Sequence, residues 1–213
     1  MHNSVVTRAR RPPKILLTGF EPCGGETVNP SLEVVQALDG EHVGGAAVVG
    51  LGLPCVYADA VAGLDRALEA LSPVLVICLG QAAGAPGLRL ERVAVNLSDT
   101  VQPDNAGTVL RDTPVVAGGP AAYFSTLPLA RMVEALRAHG HVVELSGSAG
   151  AYVCNHVFYT LQHRLVGRAL PAGFIHLPLL PRQAAGRTGV PGMALESQVA
   201  AVRLAIEVAM PAV

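Results

Sequence analysis

Two kinds of pattern alternate along this chain: short apolar runs closed by glycine or proline, and longer stretches in which apolar residues recur every three or four positions. The first kind predicts buried strands and the second amphipathic helices. Residues 14–18 form the first strand, ended by Gly19 and a turn over residues 22–25. A helix follows over residues 30–38, with Asn29 as N-cap, Pro30 at the first helical position and Gly40 just past the last apolar residue. Residues 46–53 read as a second strand, and residues 59–71 as a helix with Val61, Leu64, Leu68 and Leu71 on one face.

The rhythm continues with a buried strand over residues 74–79, closed by Gly80 and a glycine-rich loop. Residues 91–97 alternate Val93, Val95 and Leu97 with Arg92, Ala94 and Asn96, the pattern of a half-buried strand that Glu91 opens. Residues 99–120 look irregular. Beyond them come a helix over residues 127–139 capped by Thr126, a strand over 142–145, a helix over 151–166, a strand over 173–177 and a closing helix over 193–209. Such alternation predicts an α/β fold, a central and mainly parallel twisted sheet with helices on both faces, whose reactive groups gather in loops past the strand ends. Residues 1–13 read as a flexible tail and residues 14–213 as a single domain.

Composition narrows the function classes. With 213 residues, 51% of them apolar and 15% charged, the chain can bury one substantial core. Its 15 basic and 16 acidic side chains leave a net charge of −1, no footprint for nucleic acid or an anionic membrane. The uncharged stretch over residues 70–88 is broken by Ser72, Pro73, Gly80, Gln81, Gly84, Pro86 and Gly87, so no membrane-spanning helix is expected there. Arg8, Arg10 and Arg11 precede an apolar run too short for a signal peptide, which points to the cytoplasm. Cys23, Cys55, Cys78 and Cys154 show no paired spacing, and a chain of this size needs no disulfide framework, which suits a reducing compartment.

Two glycine-rich loops follow strands, where backbone N–H groups at a helix start can cradle phosphate. Gly24 and Gly25 lead to Glu26 rather than to a lysine, Lys14 is the only lysine, and no Gly-x-Gly-x-x-Gly occurs, so no cofactor is expected. The segment around Ser148 lacks the first glycine of a nucleophile elbow. His139 and His141 flank a helix stop without a third ligand, and no metal is assigned.

Cys154 falls in the first turn of a helix that follows a strand, where the helix N-terminus favours a thiolate, although a buried core thiol is the commoner meaning of such a residue. His156 is two positions on and faces elsewhere, and His163 is too far along the helix. His176 lies in an apolar strand, either as a satisfied core group or at a site, and Glu91 is either an exposed strand-end carboxylate or the partner that orients a histidine. Residue placement thus reaches Cys154, His176 and Glu91 as candidates, without a substrate.

These residues sit within blocks that resemble the pyroglutamyl peptidase I family of cysteine exopeptidases. The blocks are Leu17-Thr18-Gly19-Phe20-Glu21-Pro22 with Gly24-Gly25-Glu26-Thr27-Val28-Asn29-Pro30, Gly80-Gln81-Ala82, Glu91-Arg92-Val93-Ala94-Val95-Asn96 and Pro103-Asp104-Asn105. Ala149-Gly150-Ala151-Tyr152-Val153-Cys154-Asn155-His156 and Gly173-Phe174-Ile175-His176-Leu177-Pro178 complete them, in order over nearly the whole chain. The resemblance implies a three-layer α/β/α sandwich, hydrolysis of the bond after an N-terminal pyroglutamyl residue, and a homotetramer in the cytoplasm. It places the nucleophile on Cys154, the histidine on His176 and the glutamate on Glu91. A neutral lactam wants an apolar slot with a few amide partners, roles that suit Phe20, Asn29 and Gln81.

The chain departs from the family at the presumed slot. Cys23 stands where a phenylalanine is usual, Tyr152 where another phenylalanine is usual, Val101 and Gln102 where an Arg-Ile pair is usual, and Ala85 in place of an arginine. These changes motivate one alternative, a weak or silent relative that binds blocked peptide ends. A nucleoside phosphorylase of similar fold is the other, which the scarcity of basic residues near the loops disfavours.

Overall fold

The computed structural model describes residues 12–211, so the tail expected over residues 1–13 lies, as far as residue 11, outside the described residues. In chain order the elements are β1 (Lys14–Phe20), α1 (Pro30–Leu38), β2 (His42–Val43), β3 (Ala46–Leu53), α2 (Tyr57–Leu71), β4 (Leu75–Gln81), β5 (Leu88–Glu91) and β6 (Val93–Val95). There follow β7 (Ala122–Phe124), α3 (Leu129–Ala138), β8 (Val143–Ser146), α4 (Val153–Arg164), β9 (Ala172–Leu177), α5 (Pro181–Ala184) and α6 (Leu195–Ala209). The main sheet is seven-stranded, in the order β2-β3-β1-β4-β9-β5-β8. Pairing is parallel except where β2 meets β3 and where β5 meets β9.

Burial follows position in the sheet. The inner strands β1, β4 and β9 are buried almost throughout, as expected of strands with helices on both faces, whereas β8 at the edge exposes Glu144 and Leu145. Ile15, Leu17, Ile77, Leu79, Ile175 and Leu177 face one way, onto α1, α3 and α6. Leu16, Val76, Cys78 and Phe174 face the other way, onto α2 and α4. The result is the α/β/α sandwich expected. Among the described residues, no helix is long and apolar enough to cross a membrane.

Several boundaries differ from expectation for reasons outside the local sequence. Helix α2 starts at Tyr57 rather than at residue 59, because the buried Asp104 carboxylate, 47 positions later, accepts the Tyr57 N–H at 3.1 Å and caps the helix from a distant loop. Of the face expected there, Leu64 is fully buried and Leu68 and Leu71 pack partly buried against the core, with Tyr57 and Ala60 completing it. The half-buried strand expected over residues 91–97 is two strands broken at Arg92, so Glu91 closes β5 instead of opening a strand. Strand β6 leaves the main sheet to pair with β7, and its buried residue is the small Ala94, where α4 packs against the ribbon. Thr126 does not cap α3. Its hydroxyl donates to the carbonyls of Leu170 and Ala172 and accepts the Ala172 N–H, and Pro128 stands at the N-cap instead.

The close approach of β1 to α1 rests on Gly19. A Cβ there would lie 2.4 Å from the Ser31 carbonyl oxygen and 2.9 Å from the Leu32 nitrogen, both backbone atoms that cannot rotate away. The same crossing carries a buried bond from the Phe20 N–H to Ser31 Oγ at 2.9 Å. Gly19→Ala is therefore expected to cost about 2–3 kcal/mol as the start of α1 is pushed off the sheet. Urea unfolding should show a lower midpoint at unchanged slope; an unchanged midpoint would contradict the packing described.

Candidate active site

The parallel strands β1, β3, β4 and β9 end on one edge of the sheet, where the loops leaving Phe20, Leu53, Gln81 and Leu177 lie side by side. Helix α4 begins at this edge, with Cys154 in its first turn. No side chain caps α4 at Tyr152, which leaves N–H groups of the first turn uncapped beside the thiol. Gly80 clears space for the sulfur, since a Cβ on it would stand 2.9 Å from Cys154 Sγ. Asn155, fully buried, locks the helix start against β6 as a strand neighbour would. Its side chain accepts the Val95 N–H at 3.0 Å and donates to the carbonyls of Val95 and Leu97 at 2.9 and 3.0 Å.

His176 and Glu91 are brought together by the antiparallel pairing of β9 and β5, in which Arg89 sits opposite His176. Side chains two positions apart share a face, so Glu91 points to the α4 side with His176. Their contact, His176 Nδ1 to Glu91 Oε1, is 2.7 Å, and both residues are buried. Glu91 is therefore no exposed strand-end carboxylate. Burial alone disfavours the imidazolium, but hydrogen bonding and electrostatic interaction with Cys154 and Glu91 lift the His176 pKa from 6.5 to about 9. With Nδ1 committed to Glu91, Nε2 is the nitrogen left for the thiol. Phe174 packs against the imidazole at a centroid distance of 4.8 Å.

The remaining histidines and cysteines near this edge serve other ends. His156 Nδ1 lies 2.9 Å from Ser98 Oγ, and burial lowers its pKa to about 4, so it is a neutral packing group. His163 Nδ1 meets the Tyr123 hydroxyl at 2.8 Å. Burial pushes the Cys78 thiol up to about 12, which keeps Cys78 protonated and inert.

A pocket of about 250 Å³ opens at Cys154. All five slot residues expected from the sequence line it: Phe20, Cys23, Asn29, Gln81 and Tyr152. Asn29, however, spends its amide on the fold. Its Oδ1 caps α1 through the Ser31 N–H and hydroxyl, and its Nδ2 donates to the Glu21 carbonyl. Gln81 Oε1 accepts from Gln183 Nε2 at 2.8 Å, which fixes the Gln81 amide and leaves its own NH₂ for the pocket. Gln183 also donates to Glu26 and to the Val28 carbonyl, while Arg187 pairs with Glu26 at 2.6 Å, so the one acidic residue of the wall is neutralised.

The irregular segment over residues 99–120 forms the rim. Asp104 Oδ1 accepts the N–H groups of Ala106 and Thr108, and Asn105 ties the rim to both sides of the pocket by donating to the carbonyls of Cys55 and Pro22. The Tyr152 hydroxyl finds its partner there, donating to the Pro103 carbonyl at 2.9 Å. Of the departures noted above, Gln102 reaches the pocket and Val101 points to solvent.

Residue reasoning missed Glu26, Cys55, Val153 and Gln183. Cys55 was the most accessible of them: Phe20 and Leu53 are partners in the β1–β3 register, so Cys23 and Cys55 leave adjacent strand ends within a few residues. The two are joined by a disulfide, which corrects the expectation of four unpaired cysteines.

Known proteins resemble the chain over nearly its whole length. Residues 13–212 match the family model described as pyroglutamyl peptidase. The chain is 52% identical over 196 residues to the pyrrolidone-carboxylate peptidase of Chromobacterium violaceum, covering 92% of each chain. It is 49% identical over 201 residues to that of Cupriavidus taiwanensis, covering 93% of each. The crystal structure of pyroglutamyl peptidase I from Bacillus amyloliquefaciens superposes with a TM-score of 0.89 at 39% identity, covering 93% of this chain and 97% of that one. A mutant pyrrolidone carboxyl peptidase from the hyperthermophile Pyrococcus furiosus gives 0.89 at 41% identity over 92% of this chain and 97% of its own. In sequence and in fold, the chain belongs to the pyroglutamyl peptidase family.

Proposed function

We propose that the protein is a cysteine exopeptidase that hydrolyses the bond after an N-terminal pyroglutamyl residue, with residues 14–213 as one catalytic domain. The observation that carries this reading is the buried Glu91–His176 pair, 2.7 Å apart and coupled to Cys154, beside a pocket whose only acidic wall residue among the described residues is already paired. A ring without an ammonium group suits that pocket, because the slot presents no free carboxylate to meet one.

In the first half-reaction the Cys154 thiolate attacks the pyroglutamyl carbonyl carbon. The oxyanion is met by the uncapped N–H groups at the start of α4, donors of a kind worth about 3 kcal/mol each. His176 gives its Nε2 proton to the leaving amine, which departs as the shortened peptide and leaves a thioester on Cys154. In the second half-reaction His176 takes a proton from water, the hydroxide attacks the thioester, and pyroglutamate is released. Glu91 holds the imidazole in one orientation and offsets its charge throughout. Peptides with a pyroglutamyl N-terminus are thus the substrates. The family resemblance supports a cytoplasmic homotetramer as the acting form.

The test is release of the chromophore from a pyroglutamyl anilide, with the prolyl anilide as the lactam-free control. Wild-type protein should turn over the first compound only, and Cys154→Ala should lose roughly 10³-fold or more. Turnover by the mutant, or none by folded wild type, would contradict the reading.

The charge state of His176 fixes the alkaline limb. Because its folded pKa of about 9 lies above the unfolded value of about 6.5, the imidazolium and the stability it brings are fully present below the lower value and are lost as pH rises through the upper one. The kcat/KM profile should therefore fall with a midpoint near 9. Glu91→Gln removes a negative charge, so the midpoint should move to lower pH while the maximum falls by about 10³-fold. An alkaline limb that does not move in this variant would exclude the pair as its source.

A further inference from the structure

The wall of the slot holds a second sulfur centre. Cys23 and Cys55 are bonded with their Cα atoms 6.0 Å apart, a separation that suits a disulfide, and both line the pocket that contains Cys154. The fold has no need of a staple there, since both faces of the sheet already carry fully buried apolar clusters. What the bond does join is two loops of the site, the turn after β1 and the link between β3 and α2. The turn after β1 passes through Gly24 and Gly25 in left-handed conformation, with φ of 63° and 81°. It is also held by the Glu21 N–H on the Leu53 carbonyl at 2.9 Å, by hydrogen bonds from Asn29 to the Glu21 carbonyl, from Asn105 to the Pro22 carbonyl and from Gln183 to the Val28 carbonyl, and by the contacts of Glu26 with Gln183 and Arg187.

The two sulfurs differ in access. Cys55 is buried, and Cys23 is half-buried on the pocket side. A dissolved disulfide entering the pocket therefore meets Cys23 first and finds Cys55 behind it, the arrangement of an attacking and a resolving thiol.

We propose that Cys23 and Cys55 form a reversible thiol–disulfide couple that sets how tightly the slot holds the pyroglutamyl ring, an inference that rests on the peptidase reading above. The oxidant is a low-molecular-weight disulfide such as glutathione disulfide. The Cys23 thiolate attacks one of its sulfurs and expels a glutathione thiolate. The Cys55 thiolate then attacks the Cys23 sulfur of the mixed disulfide and expels the second. The cysteines lose two electrons and two protons, which leave on two glutathione thiols. In the bridged form the wall is held in one position before substrate arrives. Reduction removes one of the ties on the turn, and binding must then restore its position, so affinity falls while the Glu91–His176–Cys154 geometry stays as it was. By reciprocity, a bound pyroglutamyl peptide favours the bridged form.

The experiment uses Cys154→Ser, which cannot turn substrate over and carries no competing thiol at the nucleophile position. Equilibrated at high and low ratios of glutathione disulfide to glutathione, the protein is split for two readings. One is alkylation followed by peptide mass mapping of Cys23 and Cys55; the other is calorimetric binding of a pyroglutamyl dipeptide amide. The expected result is a cross-linked peptide at the oxidising end, two alkylated cysteines at the reducing end, and a Kd about threefold or more weaker in the reduced form. In a variant that adds Cys23→Ser and Cys55→Ser, Kd should not respond to the ratio. Alkylation of both cysteines at every ratio, or a cross-link that leaves Kd unchanged, would overturn the couple. Absence of binding in both states despite a cross-link would instead remove the substrate reading, and the inference with it.

Discussion

A carboxylate that has lost its water must find a cation, and in this fold that requirement falls on Glu91. Its side chain is fully buried at the end of β5, with one oxygen 2.7 Å from His176 and the other without a hydrogen-bond partner. The ring that answers it is held protonated by its contacts with Glu91 and Cys154, which lift its pKa to about 9. Taking either partner away leaves a buried charge uncompensated, a loss that costs several kcal/mol in comparable pairs. The antiparallel entry of β5 beside β9, the register of those strands and the start of α4 all serve to bring these three residues together. Asn155 and Gly80 then set the remaining distance, one by fastening α4 to β6 and the other by leaving room for sulfur.

Around this centre the pocket is built from groups whose polar capacity is mostly spent elsewhere. Asn29 caps a helix, Gln81 is held by Gln183, Glu26 is paired with Arg187, and Tyr152 is bonded to the rim. What remains facing the cavity is apolar or neutral, which selects for a ring that carries hydrogen-bonding groups and no charge. Two of the chain's departures from its family, Cys23 and Tyr152, lie on the same wall and touch the same residue, since the Tyr152 hydroxyl approaches Cys55 Sγ at 3.7 Å. Cys23 is tied to Cys55 there, and Tyr152 keeps an aromatic ring on the wall while its hydroxyl donates to the Pro103 carbonyl.

How much of this could be read from residues alone follows from how local each cause is. The limits of β3 and α1 were legible because alternation, Asn29, Pro30 and the residues just beyond them carry the signal within a few positions. Residue placement reached Cys154, His176 and Glu91 as candidates, each with an ordinary explanation beside it, and the order of motifs gave each a role. The break at Arg92 was not legible, because whether β6 stays in the main sheet depends on α4 and on β7, a strand too short to declare itself. The start of α2 depended on Asp104 far along the chain, and the ordering of Gln81 on a one-turn helix, α5, with no periodicity to reveal it. Pairing of Cys23 with Cys55 needed the β1–β3 register before spacing meant anything.

His176 is an imidazolium at neutral pH because Cys154 and the buried Glu91 carboxylate hold it so. Nitrogen NMR of isotope-labelled histidine observes this directly. In wild-type protein, the account requires both His176 nitrogens to carry protons at neutral pH and to titrate only near 9, and it requires the ring to become neutral at a lower pH in Cys154→Ala. A His176 ring that titrates near its unperturbed value of about 6.5 in both proteins would contradict it.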